Sequence, residues 1–167
     1  LSALKLLDRL PAEPEPMLLM EDARKVSVAS ESIDVVITSP PYVGVIDYAH
    51  ANRLLYAWMN WSLDEERTDE IGARFKRFRK SATHDYRADM DRCWSEIERV
   101  LVPGGYCAIV IGESRKFPGS VEETMSDLAR RIPMVWGPAR RVPSRRRVSD
   151  RAATQASEYI FVCRKSD

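Results

Sequence analysis

Thr38-Ser39-Pro40-Pro41-Tyr42 concentrates, in five consecutive positions, the groups of this sequence best suited to chemistry. The Ser39 hydroxyl both donates and accepts hydrogen bonds. Pro40 and Pro41 lack a backbone N–H and fix φ, so they stiffen the turn and are expected to leave the carbonyls before and within the pair as outward-pointing acceptors. Tyr42 adds a flat ring on which a planar group can stack. A rigid acceptor cluster beside an aromatic face suits a planar primary amine, such as the exocyclic amine of a nucleobase. A Ser-Pro-Pro turn also occurs in plain connecting loops, and the preceding residues weigh against that reading. They are Ile33-Asp34-Val35-Val36-Ile37, a β-branched apolar run that predicts a fully buried strand. The turn then falls at the carboxyl end of a sheet, where open α/β sheets bind their ligands.

The elements that must hold this turn alternate along the chain. Residues 2–10 read as the end of a helix with an apolar stripe of Leu4, Leu7 and Leu10, broken by Pro11, Pro14 and Pro16. Met17 to Met20 predicts a short strand. Tyr48 to Trp61 has helical periodicity, with Leu54, Leu55, Trp58 and Met59 as the expected buried face. Residues 62–87 are highly charged and read as a peripheral insertion, helical in parts. Ala88 to Leu101 is a second amphipathic helix, with Pro103-Gly104-Gly105 as its stop and turn. Tyr106 to Ile111 predicts a strand, 121–131 a helix, and Met134 to Val142 and Glu158 to Arg164 two final strands. Such alternation argues for one α/β domain, doubly wound and mostly parallel. No helix is expected between the last two strands, so the final pair is expected to be antiparallel, with the last strand inserted beside its predecessors.

Strand-Ser39-Pro40-Pro41-Tyr42 resembles the catalytic motif of the amino-methyltransferases that use S-adenosylmethionine, and its Ser form is most similar to the cytosine-N4 DNA methyltransferases. An Asp in first place is commoner in the adenine-N6 enzymes, and an Asn in those acting on other substrates. Helix-Pro-Gly-Gly-strand at 88–111 and the ending Glu158-Tyr159-Ile160-Phe161-Val162-Cys163-Arg164-Lys165 also resemble that family. The resemblance implies a Rossmann-like methyltransferase fold with an antiparallel C-terminal strand. It implies direct methyl transfer to a base amine, with Ser39, Pro40, Pro41 and Tyr42 as the catalytic set. If the substrate is duplex DNA, the base is flipped out and Tyr42 stacks on it. A carbon-5 cytosine enzyme would need a Pro-Cys nucleophile, and none of Cys93, Cys107 and Cys163 follows a proline. Adenine, an RNA base, or a non-catalytic domain that only binds nucleic acid or a partner stay open as alternatives.

The family holds the methionine part of its cofactor with a glycine-rich turn after its first strand. The seven glycines here, at 44, 72, 104, 105, 112, 119 and 137, form no Gly-x-Gly pattern. The chain is therefore expected to be a partial domain that starts before the third strand, with the glycine turn upstream, or downstream if the gene is circularly permuted, and to bind cofactor poorly alone. Within it, the resemblance assigns Asp22 and Ala23 to the cofactor's adenine, and Thr38 and Ser39 to the region of its reactive methyl. An Asp22 that simply caps the following turn is equally open. Glu113 and Ser114 are weaker candidates for the pocket wall.

Asp47, Tyr48, His50, Asn52 and Arg53 follow the turn where a helix begins. Asp47, Tyr48 and Arg53 are read as substrate contacts, and His50 as a proton shuttle or an ordinary surface histidine. Two basic stretches qualify for phosphate contact. One is Arg74-Phe75-Lys76-Arg77-Phe78-Arg79-Lys80, which reads equally as an amphipathic helix with both phenylalanines packed on the body. The other holds Arg140, Arg141, Arg145, Arg146, Arg147 and Arg151, and its Arg145–Arg147 run is the preferred nucleic-acid contact. A net charge of +1 decides nothing about partners, because basic residues can be concentrated locally. Three scattered cysteines without metal spacing read as reduced thiols of a cytoplasmic protein with no metal site. No apolar stretch approaches membrane-spanning length, and Lys5, Asp8 and Arg9 argue against a secretory segment.

Overall fold

Strand β1 (Ile33–Thr38) pairs in parallel with β2 (Leu101–Gly112), and β2 pairs antiparallel with β5 (Ser157–Lys165). Strands β3 (Met134–Trp136) and β4 (Arg140–Pro143) both pair antiparallel with β5, giving a sheet of order β1-β2-β5-β3. Strand β5 therefore runs against the other four and lies between β2 and β3. The computed structural model describes residues 16–41, 46–112, 134–136, 140–143 and 157–167, with backbone alone for 134–136, 140–143 and 157–158. The helices expected at 2–10 and 121–131 lie outside the described residues.

The single strand expected at 134–142 is two. Trp136 faces Cys163 and Arg140 faces Ile160, so four steps on one side match three on the other. The two pairings with β5 are therefore one residue out of register with each other. The expected strand at 17–20 is absent. Met17, Leu18 and Met20 are exposed in irregular backbone, because an apolar run becomes a strand only where a neighbour takes its hydrogen bonds. Strand β1 forms as expected but is not fully buried. It is an edge strand among the described residues, and Val35 and Ile37 are 53% and 77% exposed, while Ile33 and Val36 pack on the core.

Helix α4 (Ala82–Val100) covers the sheet, with Met90, Cys93 and Trp94 packed against Leu101, Ile109 and Phe161. It begins at Ala82 rather than Ala88, with Ser81 at its N-cap position and the Ser81 hydroxyl donating to Asp85. It then passes into β2 with no separate turn, and Pro103-Gly104-Gly105 belongs to the strand. Ile33 faces Leu101 whereas Val35 faces Tyr106, so the Pro-Gly-Gly segment bulges out between them. Gly104 has φ +76, and a Cβ on Gly105 would stand 2.9 Å from the Val102 carbonyl oxygen and 3.1 Å from that of Asp34. These glycines serve the bulge rather than a helix stop. The last carbonyls of α4 find other donors: Lys165 Nζ donates to Glu98 and Leu101, and the Glu31 and Ser32 amides donate to Arg99 and Val100.

Residues 48–61 form two short helices, α1 (Tyr48–Ala51) and α2 (Arg53–Met59), split at Asn52 and ended by left-handed Asn60. The expected buried face is exposed, with Leu54 at 78% and Trp58 at 87%. The stripe is apolar, but no described element lies over it. Helix α3 (Leu63–Asp69) and a 3-10 helix (Arg74–Phe78) follow. The three thiols are buried, and Cys163 Sγ donates to the Cys107 carbonyl directly across the sheet. Among the described residues no helix is long and apolar enough to cross a membrane.

Candidate functional site

The Ser-Pro-Pro turn leaves the carboxyl end of β1, with Ser39 exposed, Pro40 buried and Pro41 half-buried. Pro40 and Pro41 form part of the wall of a cavity of about 310 Å³, together with Ala23, Thr38 and the α4 residues Met90 and Trp94. The turn is thus neither sealed in the core nor remote from a cavity. One expectation changes. The Pro41 carbonyl is not an open acceptor, because the Tyr86 hydroxyl of α4 donates to it at 3.0 Å. Tyr86 escaped the sequence reading: it lies 45 positions away, and a tyrosine in a charged stretch carries no signal of its partner.

Burial pushes the Tyr86 phenol up to about 12. An unfolded tyrosine ionises near 10, so between about pH 10 and 12 the unfolded chain loses this proton first, and the folded state loses stability. Tyr86→Phe is expected to flatten the fall in stability over that window in a denaturation series against pH. At neutral pH it should cost about 1 kcal/mol for the lost hydrogen bond. An unchanged pH profile would show that the phenol is not held as described.

The loop carrying Ala23 is fastened to α4. Arg99 donates to the carbonyls of Val26 and Val28 and to the Glu96 carboxylate. The Arg99 guanidinium and the Val26 amide hold Glu96 down to about 2. Asp22 does cap its turn, accepting from the Arg24 amide at 2.8 Å. Its two oxygens also accept from the Arg24 guanidinium, which keeps its pKa below the usual carboxylate range, and Arg24 reaches on to Asp89. Oδ1 thus accepts from both the Arg24 amide and Nε, and Oδ2 from Nε and Nη2, so Arg24 engages the whole carboxylate.

Asp22 and Tyr48 line a wider groove of about 1010 Å³ beyond Ala23, with Glu65, Glu66, Asp69 and Glu70 on its wall. Its acidic character disfavours phosphate there. Asp47 does not cap α1. Glu70 does so instead, accepting from the Tyr48 amide at 2.6 Å and the Ala49 amide at 3.1 Å. Asp47 Oδ2 lies 3.4 Å from Arg67 Nη2, and its Oδ1 is buried without a partner. Arg53 is exposed and donates to the His50 carbonyl at 3.3 Å, and His50 is itself exposed. The structure thus brings Ala23, Thr38, Pro40 and Pro41 together around one cavity and sets Asp22 and Tyr48 in the neighbouring groove. Tyr42, Glu113, Ser114, Arg145, Arg146, Arg147 and Arg151 lie outside the described residues.

No family model matches the chain. Among curated proteins it is similar to the type II methyltransferase M.MjaI of Methanocaldococcus jannaschii, 30% identical over 104 residues, or 61% of this chain and 34% of that protein. Among solved structures it resembles TTHA0409 of Thermus thermophilus, provisionally named a DNA modification methylase. The TM-score is 0.51 at 23% identity, over 88% of this chain and 52% of the other. This chain shares that fold. A TTHA0409 structure complexed with S-adenosyl-L-methionine matches equally, with a TM-score of 0.51 at 22% identity over 87% of this chain and 54% of the other. The chain spans about a third of the length of M.MjaI and about half that of TTHA0409.

Proposed function

We propose that this chain carries the catalytic motif of an S-adenosylmethionine-dependent DNA methyltransferase acting on an exocyclic base amine, cytosine N4 before adenine N6. The observation that carries this reading is the Ser39-Pro40-Pro41 turn at the carboxyl end of β1, whose two prolines wall a cavity with Ala23 and Thr38 while Ser39 beside them is exposed. The similarity to M.MjaI and the fold shared with TTHA0409 support it.

The cavity wall of Ala23, Val26, Pro40 and Ile71 fits the flat adenine part of the cofactor. It offers less to the amino-acid end, since its one charged residue, Glu96, is already engaged by Arg99 and the Val26 amide. When bound, S-adenosylmethionine supplies an activated methyl group on a sulfonium. The chain's own residues prepare the nucleophile. An aromatic amine is a weak one because its lone pair is delocalised into the ring. Hydrogen bonds from the amine to the Ser39 oxygen and the Pro40 carbonyl favour a pyramidal nitrogen and direct its lone pair. They also stabilise the positive charge that develops on it. Buried Pro40 and the Tyr86 bond to Pro41 keep these acceptors from shifting. Tyr42 stacks on the flipped base, and Arg145, Arg146 and Arg147 contact phosphates. This chemistry needs no covalent enzyme intermediate.

The test is mass analysis of nucleosides from methylation-free cells expressing the gene that encodes this chain. N4-methyldeoxycytidine is the expected product. N6-methyladenine would move the target base, and no methylated base at all would favour a methyltransferase-like domain that binds without transferring.

A further inference from the structure

The segment Arg74-Phe75-Lys76-Arg77-Phe78-Arg79-Lys80 carries five cations and no acid. A packed amphipathic helix would bury both phenylalanines. Instead Phe78 is 81% exposed, and the Arg77 guanidinium lies over its ring at 4.5 Å. The 3-10 helix explains the pattern: residues three apart eclipse, so Arg74 and Arg77 share one edge and Phe75 and Phe78 another. Phe75 is half-buried, with Arg67 at 4.6 Å and Arg79 at 5.6 Å from its ring centre. Beside them Lys76, Arg77 and Arg79 line a cavity of about 210 Å³ with Asp85, Tyr86 and Asp89.

The charges in this cavity are unevenly satisfied. Asp89 is paired with Arg24, and Asp85 accepts from Ser81. Lys76 donates to the Thr68 and Glu70 carbonyls. Arg77 Nη1 is buried with no partner, and among the described residues no carboxylate pairs with Arg74, Arg77, Arg79 or Lys80. The segment is also tied to both flanks of the Ser-Pro-Pro turn. The Arg74 amide donates to the Ile46 carbonyl at 3.0 Å, and Tyr86, which shares the cavity with Arg77, donates to Pro41.

We propose that Arg74–Lys80 is a single-strand nucleic-acid contact, with Arg77 and Arg79 on successive phosphates and Phe78 stacked on a neighbouring base. Arginine over an exposed ring provides both charge and a π-face, the combination that grips a strand without reading its sequence. The groove lined by Glu65, Glu66, Asp69 and Glu70 is acidic and repels phosphate, so the strand is directed to the basic segment. The placement deepens the methyltransferase reading, on which it rests for the identity of the target base beside the contact.

The test is fluorescence anisotropy of the 167-residue chain with a labelled single-stranded oligonucleotide and the matching duplex, over a salt series. Single-strand binding is expected to exceed duplex binding. The slope of log affinity against log salt should lessen by about 1.4 in Arg77→Ala/Arg79→Ala, at about 0.7 per phosphate. Phe78→Ala should weaken binding about tenfold, within the range of one stacked base. Phe78 is exposed, so this variant should fold as the parent does, and circular dichroism checks both. No binding, or an unchanged slope in the double arginine variant, overturns the contact, and unchanged affinity in Phe78→Ala overturns the stacking. Methyl transfer by the parent is read separately by mass analysis of nucleosides, so failure of the methyltransferase reading and loss of this contact are separate results.

Discussion

Ser39→Ala is expected to lower methyl-transfer turnover by about 10²–10³-fold, equivalent to about 2.7–4 kcal/mol of barrier, while stability stays close to the parent's. The two halves of this expectation have separate origins. Ser39 is exposed at the end of β1, so removing its hydroxyl opens no cavity and orphans no described partner. On the proposed function, what is lost is an acceptor aimed at an amine whose nitrogen becomes positive only as the methyl arrives. Such an interaction is stronger in the transition state than in the bound substrate. The loss should therefore appear in kcat, with KM for DNA little changed. Turnover within a few-fold of the parent, at unaltered denaturation midpoint, would remove Ser39 from the reaction. A fall in KM-dependent binding alone would make it a docking residue.

The parts of the fold that were legible are those in which local pattern and long-range pairing agree. The β-branched run at 33–37, the apolar strand after Tyr106 and the ending Tyr159-Ile160-Phe161-Val162 all became strands of one sheet. The antiparallel placement of the last strand was expected from a sequence that predicts no helix before it, and β5 does pair antiparallel with β2 and β3. Misreadings arose where a residue's role depends on its neighbours across space. Pro103-Gly104-Gly105 has the composition of a helix stop, yet the register of β1 against β2 makes it a bulge. Leu54, Leu55, Trp58 and Met59 were visible as an apolar stripe, but periodicity cannot say which element covers a stripe, and here no described one does. At the site, Thr38, Pro40 and Pro41 were legible because one short segment carries them, and Ala23 through family resemblance. Tyr86 was not, because its bond to Pro41 exists only once α4 lies across the end of β1.

Trp94→Ala is expected to be the most damaging substitution for stability, costing about 3–5 kcal/mol. Trp94 is 3% exposed and packs in the cluster that joins α4 to Leu101 and Ile109 of β2, and it also walls the cavity beneath the Ser-Pro-Pro turn. Truncation would extend that cavity of about 310 Å³ rather than open an isolated void. Collapse is resisted from both sides, because α4 is fixed at its end by Lys165 and to the preceding loop by Arg99. An apolar space of this kind gains nothing from water, since its lining offers few hydrogen-bond partners. The denaturant midpoint should fall with the slope unchanged, which marks lost stability rather than a different unfolded ensemble. Pro40 and Pro41 share the wall that Trp94 vacates, so methyl transfer should weaken even under conditions where the variant stays folded. A cost below about 1 kcal/mol, well under the usual range for a buried tryptophan, would mean that α4 does not brace the end of β1, and the turn's rigidity would then have to come from its prolines alone.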